Sequence, residues 1–358
     1  MSEKLILAIN PGSTSTKIAI FNGTKEVLLK NIKHSAEELS KFGEITDQYE
    51  FRKDVIINEI QNSSFDISDI EAIVGRGGLV KPIKSGVYSV NDALLRDLKK
   101  GVLGQHASNL GGLIANDISK SIDGAKAFIA DPVVVDELDD IARVSGHPKL
   151  ERVSIFHALN QKAIARQHAK SFSKKYEDLN LIVAHLGGGV SVGAHCKGRV
   201  IDVNQALDGE GPFSPERSGT LPVGALAKLC FSGEVTHEEV KKMITGKGGC
   251  VAYLGTNDAY EIEKRAEKGD EKAALIQDAM AYQIAKEIGA LSTVLKGDID
   301  AILLTGGMAH GKPVVDKITE RVKHLGAVYV YPGEDEMKAL AMNGLMVLKG
   351  ETEPLEYK

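Results

Sequence analysis

The amino-acid sequence predicts an α/β protein that contains two similar domains. Short apolar runs that are typical of buried strands alternate with helical patterns along the 358 residues, and such alternation indicates an α/β fold. A second observation is an internal similarity: residues 6–23 and 182–198 each combine an apolar strand, a turn rich in glycine or serine, a second strand and a tip that ends in glycine. Two such segments about half a chain apart indicate a duplicated domain.

The individual elements follow from hydrophobic patterning. Residues 4–10 and 17–23 flank a short polar turn and predict a β-hairpin. The helix predicted at 271–296 has the clearest pattern, because its apolar residues recur at spacings of three and four and form one stripe. The acidic, proline-containing stretch 131–140 and residues 145–149 are the predicted hinge region between the domains. The remaining predicted strands are 71–75, 125–130, 180–186 and 300–306, and the remaining predicted helices are 50–62, 91–100, 107–122 and 158–176.

Composition excludes several classes of protein. With 44 basic and 49 acidic residues the formal charge is −5, and tryptophan is absent, so neither a nucleic-acid nor an anionic-membrane partner is expected. No apolar stretch approaches the ~18 residues of a membrane-spanning helix. Three cysteines without paired spacing argue against disulfides and a zinc site. Because the apolar run at 5–9 is also too short for a secretory signal, we expect a cytoplasmic protein.

The turn of the first hairpin, residues 11–16, is a candidate phosphate-binding turn. It contains a glycine and four hydroxyl side chains, among them Ser13 and Ser15, and converging backbone and hydroxyl donors bind phosphate. Asn10 and Lys17 flank the turn and offer an amide oxygen for a hydrated metal ion and a positive charge. A plain solvated hairpin turn is the alternative interpretation.

A second candidate turn follows the predicted strand 180–186. Gly187, Gly188 and Gly189 are consecutive, and three glycines in a row cost conformational entropy on folding. We therefore expect a close approach of the backbone to a ligand. His185 stands at the end of this strand and can donate to a phosphoryl oxygen, although a buried histidine of the core is the alternative.

A third candidate site follows the predicted strand 300–306. The pair Gly306 and Gly307 leaves room for a flat ligand, or for phosphates at a helix start. Residues 306–312 also fit the pattern G-x-x-x-x-G-K, but Pro313 stands where a magnesium-binding serine or threonine is required. The sequence therefore excludes a P-loop NTPase. A dinucleotide-binding fold is disfavoured because no G-x-G-x-x-G opens a βαβ unit near the N-terminus.

Charged side chains stand near the same turns. Arg76 and Arg217 lie among glycines and small residues, so each guanidinium is reachable by a carboxylate or a phosphoryl group. A surface ion pair is the alternative for both. Asp131 follows a predicted strand, on the ligand side of an α/β sheet, although capping at the hinge competes with that role. His157 precedes a long predicted helix, where helix capping competes with catalysis.

Together these motifs resemble the acetate kinase family. The matching segments run in order over nearly the whole chain: 10–17, 75–78, 106–110, 156–157, 185–189, 217–219, 305–308 and the acidic start of the last helix. The resemblance implies two domains of the duplicated actin/ribonuclease-H-like fold, with the active site in a cleft between them. Residues 1–148 with 335–358 would bind the acid and the metal, and residues 149–334 would bind the nucleotide.

The resemblance also implies a role for each candidate residue. Asn10 and Glu336 would hold Mg²⁺, with Asp335 a rival for Glu336. Arg76 would hold the substrate carboxylate, and Asp131 would be the essential acid near the metal. The groups that would stabilise the transferring phosphoryl group are His157, His185 and Arg217. The residues that would contact ATP or ADP are Ser13, Ser15, Lys17, Gly187, Gly188, Gly189, Asn257, Asp258, Gly306 and Gly307.

The implied reaction is transfer of the γ-phosphoryl group of ATP to a short-chain carboxylic acid. A carboxylate is already ionised at neutral pH, since its pKa lies near ~4, so the reaction needs charge neutralisation rather than a strong base. Gly77 and Gly78 follow Arg76 where the acetate enzymes carry Val-Val-His-Gly-Gly, and a triglycine replaces their Gly-Asn-Gly. Because lost bulk could open the acyl pocket, we expect butanoate or a branched short acid to be preferred over acetate.

Two alternatives stay open. One is an acetate or propionate kinase, which differs only in the preferred acid. The other is a chaperone-like or filament-forming ATPase of the same superfamily, whose ATP turnover would not depend on an added acid. A homodimer or larger homo-oligomer is expected from the general frequency of symmetric assemblies.

Overall fold

The computed structural model describes residues 5–358, so Lys4 of the predicted strand 4–10 lies outside the described residues. The chain divides into two compact units. The first combines Met1–Val135 with Asp335–Lys358, and the second is Asp136–Glu334.

Each unit contains one sheet. In chain order the strands are β1 (Leu5–Pro11), β2 (Ser15–Asn22), β3 (Lys25–Lys33), β4 (Ile70–Arg76), β5 (Val87–Ser89), β6 (Lys126–Ala130), β7 (Asn180–Leu186), β8 (Val190–Cys196), β9 (Arg199–Val203), β10 (Ala301–Gly306), β11 (Val328–Pro332) and β12 (Leu355–Glu356). The strand order is β12-β5-β6-β4-β1-β2-β3 in the first unit and β11-β10-β7-β8-β9 in the second.

Helices flank the sheets. In chain order they are α1 (Ala36–Leu39), α2 (Tyr49–Gln61), α3 (Asp92–Lys100), α4 (Asn109–Lys120), α5 (Asp140–Arg143), α6 (Ala158–Ser171), α7 (Val223–Cys230), α8 (His237–Ile244), α9 (Gly249–Leu254), α10 (Ala259–Glu267), α11 (Glu271–Val294), α12 (Lys312–Val322) and α13 (Glu336–Leu348). Within residues 5–358, none of these helices combines the length and the apolar character that crossing a bilayer requires.

The two sheets begin with the same arrangement of strands. β1, β2 and β3 form an antiparallel meander, and β4 is parallel to β1 on its other side. β7, β8 and β9 form an equivalent meander, and β10 is parallel to β7. The similarity between residues 6–23 and 182–198 therefore has a structural counterpart, and the prediction of an α/β fold with an internal duplication is confirmed.

The sheet of the first unit is covered on both faces. Leu7 and Ile9 of β1 share one apolar cluster with Ile56 of α2 and Ile114 of α4. On the opposite face α13 packs so closely that a methyl group added at Gly344 would lie 3.3 Å from Ile6. Burial of one such aliphatic side chain contributes roughly 1.5–3 kcal/mol. Coverage from both sides explains why this strand is an uninterrupted apolar run instead of an alternating one.

The sheet of the second unit is built in the same way. Ile182 of β7 and Ile302 of β10 pack with Ile284 of α11. Their neighbours Leu181 and Leu303 face the other side, where they share a second apolar cluster with Ala165 of α6. The stripe predicted on the helix at 271–296 is the buried face of α11, as expected for an amphipathic helix.

Most of the predicted elements are present, and the differences have local causes. The helix predicted at 158–176 ends at Ser171. Ser173 adopts a left-handed conformation with a φ of 53°, and the N–H of Lys174 donates to the carbonyl of Ala169, so the chain turns back and the helix stops. The strand β3 was not predicted, because an edge strand with many exposed residues lacks the apolar signal of buried strands. The strands β5, β9, β11 and β12 were not predicted either, and each has five residues or fewer.

A close crossing of α4 and β4 gives a prediction about stability. An ideal Cβ at Gly111 would lie 2.3 Å from the carbonyl oxygen of Arg76, so Gly111→Ala must push the helix away from the strand. We expect the free energy of unfolding of Gly111→Ala, measured by urea denaturation, to be at least about 1–3 kcal/mol lower than that of the unmodified protein. The control is Gly289→Ala in α11, where an added methyl group meets nothing within 4 Å; it should be neutral or slightly stabilising. Equal effects of both substitutions would contradict the packing argument.

Candidate active site

Three of the predicted site residues meet at the ends of β1 and β4. Asn10 lies near the end of β1, Arg76 is the last residue of the parallel neighbour β4, and Glu336 is the first residue of α13. Asn10 Nδ2 donates to Glu336 Oε2 over 2.6 Å. Arg76 NH1 donates to the same oxygen at 3.0 Å and to Asn10 Oδ1 at 3.3 Å. The structure thus places an amide, a guanidinium and a carboxylate together at the carboxyl ends of two parallel strands, the usual ligand side of such a sheet.

The acidic segment 334–336 is divided among three tasks. Asp335 caps α13, since its Oδ1 accepts a hydrogen bond from the N–H of Lys338 at 3.0 Å. Glu334 belongs to the second unit, where its Oε2 lies 3.4 Å from His185 Nε2. Glu336 accepts the hydrogen bond from Asn10. The geometry therefore favours Glu336 over Asp335 as the partner of Asn10.

The chemistry of Asn10 and Glu336 fits a magnesium ion. An amide oxygen and a carboxylate are hard oxygen donors, which Mg²⁺ prefers. Over residues 5–358, no cluster of three or more His, Cys, Asp or Glu side chains could hold a metal ion. The two donors therefore suit an ion that takes its remaining ligands from phosphate oxygens and water, as Mg²⁺ usually does in kinases.

Asp131 directly follows β6, next to the end of β4. Its neighbour Ala130 is the β6 partner of Arg76. The side chain is 1% exposed, and its Oδ1 accepts hydrogen bonds from Ser85 Oγ at 2.6 Å and from the N–H of Gly86 at 2.9 Å. The backbone φ of Asp131 is +36°, a left-handed conformation that costs about 1–3 kcal/mol for a residue other than glycine. Strain of this kind at a strand end accords with a functional carboxylate.

The two glycines that follow Arg76, Gly77 and Gly78, are closely surrounded by other residues. An ideal Cβ at Gly77 would lie 2.6 Å from Cβ of Pro132, and one at Gly78 would lie 2.3 Å from Oδ1 of Asn109. These neighbours fill the volume that larger side chains would occupy. The space in the Cβ direction of Gly77 and Gly78 is therefore occupied by Pro132 and Asn109, and the expectation of an acyl pocket opened by lost bulk stays a prediction.

The turn at 11–16 is held by a residue that the sequence reasoning missed. Arg52 of α2 is fully buried, and its NH1 donates to the carbonyl oxygens of Gly12 at 2.8 Å and Ser15 at 3.0 Å, while NH2 donates to that of Ser13 at 3.2 Å. Burial lowers the pKa of Arg52. The turn is therefore an ordered structure rather than a plain solvated hairpin, and Ser13 and Lys17 are exposed on it. A signal was available, since Arg52 falls on the stripe of Ile56 and Ile60 at spacings of four.

Replacing Arg52 tests this interpretation of the turn. Arg52→Met keeps the volume but leaves the turn carbonyls without their donors, and each unsatisfied buried group costs about 1–3 kcal/mol. We expect a lower free energy of unfolding and faster amide exchange at Gly12, whose N–H donates to the Ser15 carbonyl over 2.7 Å. The control is Lys53→Met, which removes ion pairs with Glu50 and Asp117 and a cation–π contact with Tyr49, each worth ~0–1 kcal/mol. Unchanged exchange in Arg52→Met would contradict the prediction.

The triglycine turn between β7 and β8 accommodates side chains of the protein itself. An ideal Cβ at Gly189 would lie 1.9 Å from NH1 of Arg217. An ideal Cβ at Gly187 would lie 2.9 Å from Nε2 of His185, and one at Gly188 would lie 3.4 Å from Oε1 of Glu216. Glycine is thus required at 187 and 189, because the imidazole and the guanidinium rest directly on the turn there. The structure brings His185, the triglycine and Arg217 together, as predicted.

Arg217 is a half-buried cation whose buried Nε is an unsatisfied donor. Its NH1 donates to the carbonyl oxygen of Ala206 at 2.7 Å, whereas its buried Nε has no hydrogen-bond partner. Burial lowers the pKa of Arg217, and Glu216 opposes that effect. A desolvated charge with an unmade hydrogen bond is costly unless an anion completes the site. This arrangement therefore points to an anionic ligand at Arg217.

His157 and His185 form a stacked pair. Their ring centroids are 3.8 Å apart and the rings are inclined by 11°. His157 Nδ1 lies 2.8 Å from Ser191 Oγ, and His185 Nδ1 lies 2.8 Å from Asn160 Oδ1. The side chain of His157 makes no capping hydrogen bond to α6, so the capping alternative is excluded for the imidazole.

The residues predicted to contact adenosine lie close to the triglycine turn. Asn257 Nδ2 donates to Glu216 Oε2 at 3.2 Å, and Glu216 stands beside Gly188. Gly306 has a φ of 92°, and an ideal Cβ there would lie 2.4 Å from the carbonyl oxygen of Leu186, so the end of β10 abuts the turn. Space at Gly307 is open. Asp258 caps α10 by accepting from the N–H groups of Tyr260 and Glu261.

A substitution in the triglycine should move Arg217 without altering its charge. Gly189→Ala places a methyl group on the guanidinium, and a displacement of about 1 Å at a reacting centre can lower the rate ~100-fold. We therefore expect kcat of Gly189→Ala to be lower by up to ~100-fold. Gly188→Ala is the control, because its added methyl group meets only the flexible carboxylate of Glu216 at 3.4 Å. The measurement is the steady-state kcat of both variants. Equal kcat values would show that the contact between residue 189 and Arg217 is unimportant for catalysis.

Comparisons with known proteins point to one family. The profile of the acetokinase family matches residues 150–344. Butyrate kinase 1 and Butyrate kinase 2 of Clostridium acetobutylicum are 58% and 56% identical to this chain over 353 residues, which is 99% of this chain and 99% of each relative.

Solved structures share the fold. An acetate kinase from Porphyromonas gingivalis superposes with a TM-score of 0.76 at 19% identity, covering 96% of this chain and 100% of that one. A propionate kinase from Francisella tularensis has a TM-score of 0.74 at 20% identity, covering 95% and 98%. A ROK hexokinase from Thermus thermophilus, at 13% identity and a TM-score of 0.51, covers 96% of this chain and 99% of its own.

Proposed function

The chain belongs to the acetokinase family, and from this membership we propose that it is a butyrate kinase, which transfers the γ-phosphoryl group of ATP to butanoate and forms butanoyl phosphate and ADP. The observation that carries the choice of substrate is the 56–58% identity to two butyrate kinases over nearly their whole length. Membership of the family makes the protein a phosphotransferase with a carboxyl group as acceptor.

We propose that Arg76 binds the carboxylate of the acid. Its contacts with Asn10 and Glu336 all use NH1, so NH2 and Nε can form the paired donors that match a carboxylate. The side chain of Arg76 is 25% exposed, which leaves it accessible to a small anion. Asp131, whose Oδ1 already accepts two hydrogen bonds, suits a fixed organiser of this region better than a mobile base.

We propose that Arg217, His157 and His185 stabilise the transferring phosphoryl group. The acid is already a nucleophile at neutral pH, so catalysis consists mainly of positioning and of neutralising charge on the phosphoryl oxygens. Arg217 supplies a half-buried charge whose Nε has an unmade hydrogen bond. The backbone of the triglycine turn can hold the phosphates of the nucleotide.

The remaining assignments complete this proposal. Asn10 and Glu336 would hold Mg²⁺, which neutralises phosphate charge when bound. The further contacts to ATP or ADP are assigned to Ser13, Ser15, Lys17, Asn257, Asp258, Gly306 and Gly307. That both groups of residues meet in one cleft stays a prediction, as do a cytoplasmic location and a homodimeric or larger assembly.

The proposal is tested by trapping the acyl phosphate with hydroxylamine, using unbranched acids of one to six carbons and branched acids of four and five. We expect ATP-dependent hydroxamate formation with the highest kcat/KM for butanoate. One methylene changes binding in an apolar pocket by only ~1–3 kcal/mol, so the neighbouring acids should be slower rather than inactive. A maximum at acetate or propionate would favour the alternative acid kinase, and ATP turnover without acid would favour an ATPase.

A further inference from the structure

A row of buried polar side chains lies behind His157. Ser191 Oγ is 2.8 Å from His157 Nδ1 and accepts from Gln161 Nε2 at 2.8 Å. Gln161 Oε1 is 2.9 Å from His195 Nε2, and His195 Nδ1 is 2.7 Å from the hydroxyl of Tyr176. Ser191, Gln161 and His195 are all 0% exposed. Such a network is retained only if every member is satisfied, because unpaired buried polar groups are costly.

The carbonyl oxygen of Ser191 sets the orientation of Gln161. A carbonyl can only accept, and it lies 3.0 Å from Gln161 Nε2, so the amide nitrogen must face Ser191. The amide oxygen of Gln161 consequently faces His195. Glycine at 193 allows this position, because an ideal Cβ on Gly193 would lie 2.6 Å from Gln161 Oε1.

The orientation of Gln161 fixes the hydrogen positions on His195 and Tyr176. Since Gln161 Oε1 only accepts, His195 Nε2 carries the hydrogen. Complete burial lowers the pKa of His195 well below its usual value, and Lys162 and Arg166 lower it further. The ring is therefore neutral, its Nδ1 accepts, and Tyr176 is the donor.

The same argument applies toward the active site. Ser191 Oγ accepts a hydrogen bond from Gln161 Nε2, and the backbone N–H of His157 also donates to it at 3.4 Å. The hydroxyl hydrogen of Ser191 is then directed to His157 Nδ1. An accepting Nδ1 places the hydrogen of neutral His157 on Nε2.

We propose that Gln161 and Ser191 are positioning residues that hold His157 as the neutral Nε2–H tautomer, so that it donates a hydrogen bond to the transferring phosphoryl group. A neutral ring also suits the stack on His185, because two charged imidazoles with centroids 3.8 Å apart would repel each other. The donation to phosphoryl rests on the proposed function, whereas the tautomer does not.

The tautomer is tested by ¹⁵N NMR of the protein labelled in its histidine rings, with His157→Gln used to assign the resonances. In the unmodified protein Nδ1 of residue 157 should have a pyridine-type and Nε2 a pyrrole-type shift at neutral pH. In Ser191→Ala and Gln161→Met the two shifts should move toward each other as both tautomers become populated. A pyrrole-type Nδ1 in the unmodified protein, or unchanged shifts in Ser191→Ala, would overturn the proposal.

Kinetics of the same variants test the consequence for catalysis. We expect kcat of Ser191→Ala to fall about 10-fold, in the range seen when a group that orients an active-site imidazole is lost, with KM for both substrates within about twofold. Tyr176→Phe is the matched control: it removes a hydrogen bond of the same buried network, but Gln161 remains oriented by the Ser191 carbonyl. It should lower stability and leave the His157 shifts unchanged.

The two readouts separate the possible failures. If the shifts change as expected but kcat does not, the tautomer is correct and its role in phosphoryl transfer is wrong. If Tyr176→Phe changes the His157 shifts as much as Ser191→Ala does, general loosening of the core explains both, and the positioning role is overturned. An enzyme inactive with every acid would refute the proposed function and leave the NMR test intact.

Discussion

Replacing Arg217 with glutamine is expected to lower kcat for acyl phosphate formation about 100- to 1,000-fold, the loss typical when one preorganised donor to a developing charge is removed. The guanidinium rests on the triglycine turn and its Nε has an unmade hydrogen bond, so it is already in place before a ligand binds. Its interaction should therefore strengthen as charge builds up in the transition state. KM for butanoate should change little, because Arg217 is not assigned to the ground-state carboxylate.

A matched control separates this effect from a general loss of charge. Arg199 lies in the same unit, but its side chain is 57% exposed and pairs with Asp139 at the surface. Arg199→Gln should leave kcat and KM close to those of the unmodified protein, because exposed ion pairs contribute only ~0–1 kcal/mol. The assignment of Arg217 is refuted if Arg217→Gln raises KM for the acid and leaves kcat unchanged.

Replacing Arg76 should give the opposite kinetic pattern. In Arg76→Ala the acid loses its charged partner, and truncating one partner of a hydrogen-bonded charge pair costs about 2 kcal/mol or more, which corresponds to a KM for butanoate raised ~30-fold or more. KM for ATP should stay within about threefold, because the nucleotide contacts are assigned to other residues. The measurement is a steady-state titration of each substrate at saturating concentration of the other.

The conservative variant sharpens this test. Arg76→Lys keeps the positive charge and its attraction to Glu336 but cannot present two parallel donors to a carboxylate. We expect a KM for butanoate between those of the unmodified protein and of Arg76→Ala. An acid KM that is unaffected in Arg76→Ala would show that the carboxylate binds elsewhere.

Much of the fold was accessible from local patterns. The hairpin at 4–23, the apolar run of β7 and the stripe of α11 depend on side-chain periodicity within one element, which the backbone geometry of strands and helices imposes. The convergence of Asn10 and Arg76 was implied by the family resemblance, whereas the parallel pairing of β1 and β4 that produces it is seen only in the structure.

The supporting residues of the site were much less accessible. Its place on the apolar stripe of α2 indicates that Arg52 is buried, but not that it holds a turn 37–40 residues away in sequence. Gln161 and His195 have no distinguishing sequence motif, and they meet only because α6 covers the sheet that contains β8. The resemblance indicated lost bulk at Gly77 and Gly78, but not that Pro132 and Asn109 occupy the space in the Cβ direction of these glycines.

The sequence by itself determined the α/β class, the internal duplication and the short list of turns and charged residues from which the site is built. Only the tertiary structure decided how the acids at 334–336 divide their tasks, why glycine is needed at 187 and 189, and which buried groups orient His157. The physical reason is range: periodicity and turn chemistry act over a few neighbouring residues, whereas burial and hydrogen bonding between distant segments depend on how the sheets and helices pack.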